Sequence, residues 1–424
     1  MDADLVLQTA FPTGIISNSL SIGSNFGNVQ SNLQKIDLKL SDLQSPNQQL
    51  PDLHLTDEQA MALAIREAFK GAGKVSPNPL VGCVILSSEN KLLSVGHHPY
   101  VGGPHAEVMA IQNLQHPKLK DARVFVTLEP CAHEGRTPSC AKMLAKTNIA
   151  EVIYGLQDPN PLVAGQGAEI LKQAGKKVVL YQGLKEALEQ TCEHFLWNYR
   201  QKKVFVSLKV ATSLDGQLAH ITGESKWITG EGSRQYAHYL RAFHDALMVG
   251  VGTVLQDNPS LNIRHPMFPG MQKKLIVVDK DGDCLKNKST VQNIFQAHSP
   301  ENLIFVVRHD LKDFVKNQGF ACVSLDLQEG HFAWLDMLSA LWDLGIRSLM
   351  VEGGAQLISS VLQSSAWQRL FLFQAPVILG GRSGITWSRE FQIPNMQDQV
   401  RLLEPQYKQI EKDILITGKY GRRR

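Results

Sequence analysis

The chain has little net charge, few cysteines and no long apolar run, and each shortage excludes a class of protein. Its 43 Lys and Arg against 40 Asp and Glu leave a formal charge of only +3 over 424 residues. The one basic tract, Gly421-Arg-Arg-Arg424, is too short for a nucleic-acid surface, so nucleic acid is not an expected partner. Six cysteines (Cys83, Cys131, Cys140, Cys192, Cys284 and Cys322) are too scattered for a disulfide framework and fit a reducing cytoplasm. No apolar run approaches the ~20 residues of a membrane span, so no membrane association is expected. The first arginine is Arg66, and no basic start with an apolar core precedes it, which argues against transit and signal segments. What remains is a chain with 43% hydrophobic residues, enough for two or three domains at a prior of ~150 residues each.

Residues 1–55 read as a disordered tail: Ser17-Asn-Ser, Ser24-Asn-Phe-Gly-Asn and Ser45-Pro-Asn-Gln-Gln are polar and lack periodicity. Order is expected from Thr56, where Thr56-Asp-Glu-Gln59 fits a capping box and Ala60, Met61, Ala64, Ile65 and Ala68 form one apolar stripe ending at Gly71 and Gly73. Residues 56–200 alternate strands and helices as one α/β unit, with strands at Val81–Leu86, Arg123–Leu128, Val152–Leu156 and Lys177–Leu180. The helical stretch between Gly183 and Lys203 carries Phe195, Trp197 and Tyr199, whose rings are expected in a packed core. A second α/β unit occupies 203–424. Its strands are expected at Val204–Val210, Ala246–Gly250, Leu275–Asp279, Leu303–Val307, Ser348–Glu352 and Leu370–Gln374, in a sheet covered on both faces. Glycines at Gly250-Val-Gly252 and Glu352-Gly-Gly354 stand where strands turn into helices and could cradle a phosphate, although paired turn glycines are more often only tight turns. Neither forms the Gly-x-Gly-x-x-Gly fingerprint of a Rossmann unit.

The most informative feature is His105-Ala-Glu107 followed by Pro130-Cys131 and Cys140. One imidazole and two thiolates fill three corners of a tetrahedral Zn²⁺, leaving the fourth for a water whose pKa the metal lowers to about 7. Glu107 lies about 200° around a helix from His105, at ~100° per residue, so it suits proton transfer better than ligation. This is the arrangement of a zinc deaminase. The eight residues between the two cysteines depart from the usual Pro-Cys-x-x-Cys, and on spacing alone a buried pair of thiols with a surface imidazole is an even alternative. Pro104 and Pro138 suit first turns of helices, which places His105 and Cys140 at helix N-termini, where thiolate is favoured.

Longer motifs carry a family resemblance over nearly everything from Thr56 onward. Asn78-Pro-Leu-Val-Gly-Cys-Val-Ile85, Pro104-His-Ala-Glu107, Thr127-Leu-Glu-Pro-Cys-Ala-His-Glu-Gly-Arg-Thr-Pro-Ser-Cys140 and Gln157-Asp-Pro-Asn-Pro161 resemble the deaminase half of the bifunctional riboflavin-biosynthesis deaminase/reductase. Lys209-Val-Ala-Thr-Ser-Leu-Asp-Gly216, Gly223-Glu-Ser-Lys-Trp-Ile228, Leu240-Arg241, the run Val251–Arg264 and Val351-Glu-Gly-Gly354 resemble its reductase half.

That resemblance implies a cytidine-deaminase-like domain followed by a dihydrofolate-reductase-like domain, with Zn²⁺ and NADPH as cofactors. It implies two consecutive reactions on a small phosphoribosylaminopyrimidine: removal of the 2-amino group of the diaminopyrimidinone, then reduction of ribosyl to ribityl. His105, Cys131 and Cys140 would bind zinc and Glu107 would donate protons. Asn78, His98, His133, Arg136 and Thr137 would touch pyrimidine or phosphoribose, with a solvated loop as the plainer reading of His133 and Arg136. Ala211, Ser225, Trp227, Thr253, Asp257 and Glu352 match cofactor contacts, and Arg241, Leu261 and Arg264 match substrate contacts, the arginines suiting a phosphate. A homo-oligomer is also expected. Gly103 and Asn258 stand where acidic residues are common in the family. No acid for the reduction stands out, and Asp215 reads better as a turn aspartate before glycine than as a proton donor.

Two rivals follow from the residues. A nucleic-acid-editing deaminase would share the zinc centre but needs a basic or aromatic strand-binding groove. A binding protein with structural zinc would need a fourth ligand, for which Cys83 is the nearby candidate.

Overall fold

A computed structural model describes residues 53–114, 119–133, 138–160 and 164–422. They divide into two compact units between Lys202 and Lys203. The expected tail lies outside the described residues apart from its last three, which are already ordered. Leu53 and Leu55 hydrogen-bond to the backbone of Leu92 and Asn90, and Leu55 is buried.

The first unit begins with α1 (Asp57–Ala68), opened by the capping box: the Thr56 hydroxyl accepts from Gln59 N and the Gln59 side chain accepts from Thr56 N. Every residue from Ala60 to Ala68 is buried, so the helix is enclosed rather than amphipathic. Five strands follow: β1 (Gly82–Leu86), β2 (Leu92–His97), β3 (Arg123–Leu128), β4 (Glu151–Leu156) and β5 (Lys177–Leu180). The sheet order is β2-β1-β3-β4-β5, with β1 antiparallel to both neighbours and β3, β4 and β5 parallel. β2 had no strong sequence signal, because Ser94 and Gly96 interrupt its apolar run. Both have tertiary uses: the Ser94 hydroxyl donates to the Ala110 carbonyl, and a Cβ on Gly96 would lie 2.3 Å from Ala110 N. The absent side chain lets α2 (Ala106–Gln112) lie directly on the sheet.

Helices α3 (Cys140–Ala145) and α4 (Gln166–Gln173) follow β3 and β4, and α5 (Lys185–Thr191) and α6 (Glu193–Gln201) close the unit. The α6 aromatics differ from expectation. Phe195, Trp197 and Tyr199 are half-buried, while Leu196 and Asn198 on the same helix are buried.

The second unit is a nine-stranded sheet. Its strands are β6 (Phe205–Thr212), β8 (Ala246–Gly250), β9 (Lys274–Val278), β10 (Leu303–Arg308), β11 (Ala321–Leu325), β14 (Ser348–Val351), β15 (Arg369–Gln374), β17 (Val400–Ile410) and β18 (Asp413–Arg422). The order is β11-β10-β9-β8-β14-β6-β15-β18-β17. All pairs are parallel except those made by β18. Two small ribbons, β12 (Leu327–Gln328) with β13 (His331–Phe332) and β7 (Gln217–His220) with β16 (Gly384–Thr386), lie outside this sheet. Val206, Leu208, Val210, Met248, Ile276, Val306, Leu349 and Val351 form the core, against which Trp334 and Met337 of α12 (Trp334–Asp343) and Ile358 and Val361 of α13 (Ala355–Ser364) pack. The β17–β18 hairpin was not read from sequence. β17 is an edge strand, mostly exposed and carrying Pro405 at a register shift, so it lacks the apolar continuity of a buried strand.

Parallel order puts the C-terminal ends of β6, β8, β14 and β15 along one edge. From that edge β8 runs into α8 (Val251–Asp257) and β14 into α13, the arrangement in which open α/β sheets bind ligands. Helix α7 (Glu231–Phe243) precedes β8 and carries Arg241.

Candidate active sites

In the first unit β3 delivers Cys131 one loop residue beyond Pro130, and the N-termini of α2 and α3 deliver His105 and Cys140. The two prolines stand one place earlier than expected. His105 and Ser139 are the N-caps, so Pro104 and Pro138 precede the caps rather than opening the helices. The Ser139 hydroxyl caps α3 by accepting from Lys142 N and donates to the Cys131 carbonyl at 2.8 Å. His105 Nδ1 lies 3.5 Å from Cys131 Sγ and 3.3 Å from Cys140 Sγ, and the three ligand atoms fall within 4.8 Å of one another. Zinc bonds of about 2.3 Å to sulfur and 2.0–2.1 Å to nitrogen at a tetrahedral angle imply N···S separations of about 3.6 Å. The two N···S separations therefore suit ligands of a single zinc.

The electrostatics agree. Hydrogen bonds from Cys140 and His105 favour thiolate at Cys131, pulling its thiol well below the ordinary range. The bond to Cys131 and burial push the Cys140 thiol up, an opposition that a bound dication removes by favouring thiolate at both. Glu107 is 3% exposed and stands outside the ligand group. Burial and then the Cys131 charge push its carboxyl up to about 7. Cys83 is fully buried on β1 opposite Gly96 and Val126 and is not among the ligands, so among the described residues the site has three protein donors. The fourth ligand needed by a structural zinc is not supplied by Cys83.

His98 packs edge-on against His105 with ring centroids 5.5 Å apart. Its Nδ1 meets the Pro104 carbonyl at 2.9 Å, and since a carbonyl only accepts, the proton sits on Nδ1 and Nε2 accepts from the Asn78 amide at 3.2 Å. Asn78 and His98 are thus joined beside the metal ligands. His133 is exposed; Arg136 and Thr137 lie outside the described residues.

In the second unit Arg241 and Glu352, expected at substrate and cofactor respectively, form one ion pair. Arg241 Nε and Nη2 donate to the two Glu352 oxygens at 2.9 Å each, and Nη1 donates to the Asn262 carbonyl at 3.1 Å. Lys209 Nζ stands 4.0 Å from Glu352. Burial alone would raise the Glu352 carboxyl, but Arg241 and Lys209 hold it at about 2. Lys209 was not singled out as a site residue; a lysine interrupting an apolar strand was the available signal. Leu261 is buried with a positive φ of 53°, and Arg264, two residues beyond Arg241's partner Asn262, is exposed, its Nη1 donating to Asn262 Oδ1 at 2.6 Å. Arg264 N donates to His238 Nδ1 at 3.2 Å, and burial together with Arg241 and Arg264 drives His238 down to about 3, so its ring is neutral.

The two glycine clusters meet: Gly354 N donates to Thr253 Oγ1 at 3.2 Å. Gly353 has a φ of 144°, and a Cβ on Gly252 would meet nothing within 4 Å, so the backbone at Gly252 is unobstructed. Asp257 ends α8, where burial raises its carboxyl and the Lys226 charge partly opposes that rise. Trp227 is 69% exposed, with the Arg234 guanidinium 4.7 Å from its ring centroid. Ala211 is half-buried on β6. Asp215 accepts from Ser213 Oγ, Leu379 N and Gly380 N, the bonding of a loop staple, as its turn reading implied. Asn258 caps α8 in the left-handed region and bonds to Asn293.

These features define a zinc deaminase unit followed by a dihydrofolate-reductase-like unit. Residues 55–156 match the cytidine and deoxycytidylate deaminase zinc-binding region, and residues 204–416 match the RibD C-terminal domain. The riboflavin biosynthesis protein RibD of Actinobacillus pleuropneumoniae is 37% identical over 368 residues, covering 85% of this chain and 95% of that protein. Two solved structures share the architecture. Acinetobacter baumannii RibD is 32% identical, with a TM-score of 0.72 over 86% of this chain and 98% of its own. The diaminohydroxyphosphoribosylaminopyrimidine deaminase/5-amino-6-(5-phosphoribosylamino)uracil reductase of Thermotoga maritima is 31% identical, with a TM-score of 0.73 over 85% and 98%. The chain belongs to the RibD family of bifunctional riboflavin-biosynthesis enzymes, zinc-dependent deaminases and NADPH-dependent reductases.

Proposed function

We propose that His105, Cys131 and Cys140 hold zinc, that Glu107 moves the protons of deamination, and that the edge formed by β6, β8 and β14 carries out the reduction. The observation behind this reading is the open three-donor site with a buried carboxylate beside it that is not a ligand. Zinc, when bound, supplies the Lewis acidity that makes water a nucleophile near neutral pH, and NADPH supplies the reducing equivalent. Glu107 takes a proton from that water and returns one to the departing amine. Its burial brings its proton affinity near neutrality, where both transfers are accessible. Asn78 and His98 line the approach to the metal, with His133, Arg136 and Thr137 assigned to the phosphoribosyl group.

In the reductase the junction of Thr253 and Gly354 takes the cofactor's phosphates, with Ala211, Ser225, Trp227 and Asp257 around it. Arg241 is occupied by Glu352 and Asn262, so it braces the Leu261–Arg264 segment, and the exposed Arg264 guanidinium meets the substrate phosphate. The reading includes a cytoplasmic homo-oligomer; six unpaired cysteines suit a reducing compartment, and light scattering on the purified protein measures the assembly. Mass spectrometry of the diaminopyrimidinone substrate incubated with the enzyme tests the chemistry. The deaminated ribosyl product is expected without NADPH and the ribityl product with it; a reduced but still aminated product would reverse the order.

A further inference from the structure

The N-cap of helix α4 is Gly165, which has no side chain with which to cap it. Its orphan N–H groups are met from elsewhere. The buried carboxylate of Glu129, 4% exposed, accepts from Gly165 N at 3.0 Å, from Ala168 N at 3.2 Å and from Asp158 N at 3.3 Å. A carboxylate at a helix N-terminus gains both charge-assisted hydrogen bonds and the favourable end of the helix dipole. Glu129 stands two residues before the ligand Cys131, and a second contact acts on the residue between them. A Cβ on Gly167 would lie 1.9 Å from the Pro130 carbonyl oxygen, so the first turn of α4 is seated directly on the Pro130 backbone.

On its other side Cys131 is held by α3. Its carbonyl accepts from Ser139 Oγ and Ala141 N, and its Sγ accepts from Cys140 N at 3.4 Å. The ligand loop is therefore clamped between two helix N-termini, one bonded to Cys131 itself and the other bonded through Glu129.

We propose that Glu129 is a positioning residue for the metal: by capping α4 it fixes the Pro130–Cys131 turn so that the Cys131 thiolate meets His105 and Cys140 at zinc-binding distance. It also ties Asp158 to the same clamp, and with it the start of the turn in which Asp158 Oδ1 accepts from Asn160 N. The proposal rests on the zinc reading of His105, Cys131 and Cys140. In Glu129→Gln one acceptor oxygen becomes an NH₂ group facing backbone donors, so at least one buried N–H loses its partner while side-chain volume is kept.

The test measures zinc affinity of the full-length protein by competition with a chromogenic chelator. Glu129→Gln is expected to bind zinc 10- to 100-fold more weakly, the range for groups that orient metal ligands indirectly. Glu151→Gln, which breaks the Arg123 and Lys177 ion pairs of the same unit, serves as the comparison. It should lower thermal stability and leave zinc affinity within twofold. Equal zinc affinity in wild type and Glu129→Gln overturns the proposal, as does an equal loss in the Glu151→Gln control. Wild-type protein that binds no zinc would instead overturn the metal site. Should Glu129→Gln fail to fold, hydrogen exchange on the wild type decides: because coupling is reciprocal, adding zinc to the metal-free protein must slow exchange at Gly165 and Ala168. Unchanged exchange there counts against the clamp.

Discussion

Replacing Glu352 by glutamine removes the buried negative charge that faces two half-buried cations and leaves the shape of the site unchanged. In the native protein its carboxylate takes both bonds from Arg241 at 2.9 Å and faces Lys209 at 4.0 Å. A carboxyl held at about 2 against an ordinary value of 4.5 corresponds to about 3 kcal/mol of folding stability, at roughly 1.4 kcal/mol per factor of ten. Breaking a buried ion pair from one side costs about 3–5 kcal/mol, so two independent routes agree in order of magnitude. For a unit of this size that is a fall of roughly 6–12 °C in melting temperature. The sign with pH follows from the direction of the shift. The folded value lies below the unfolded one, so the contribution is complete above about pH 5 and is lost as pH falls through 4.5 towards 2. Scanning calorimetry of wild type and Glu352→Gln at several pH values should show the reductase transition displaced at pH 7 and the two proteins converging as the acid limit is approached. A constant difference between pH 7 and pH 3, or none at pH 7, would refute the reasoning.

Three further outcomes are expected. Glu107→Ala should abolish ammonia release while retaining one zinc per chain by atomic absorption and normal NADPH oxidation with the deaminated intermediate; zinc loss in that variant would make Glu107 a ligand. Cys131→Ser should lose the metal, whereas Cys83→Ser should keep it, because Cys83 is enclosed between β2 and β3; atomic absorption that shows both losing zinc would mean a closed site. Arg264→Ala should raise the KM for the ribosyl substrate roughly 10- to 150-fold, the equivalent of about 1.5–3 kcal/mol for a charge-assisted contact, and leave the KM for NADPH near its original value. A change confined to NADPH would place Arg264 on the cofactor side.

Much of this protein was legible without coordinates because its signals are local. The capping box at Thr56 needs only four residues, and β3, β4 and β8 stand out as apolar runs bounded by turns, since strands inside a sheet covered on both faces are buried on both sides. The donor types at His105, Cys131 and Cys140 announce soft-metal chemistry wherever they fall in the chain. Tertiary structure decided what depends on distant partners. It joined Arg241 to Glu352, 111 residues apart, where separate motifs had assigned them to different ligands. It set Cys83 within the sheet and outside the metal group, put the proton of His98 on Nδ1, and made Glu129 the missing cap of a helix that begins 37 residues later. Ser94, Gly96 and Pro405 hid two strands because their reasons lie in a helix packed against one strand and a bulge in the other. Periodicity records which face of an element is buried; the partner that buries it, and the polar group it leaves to be satisfied, are settled only when the chain closes on itself.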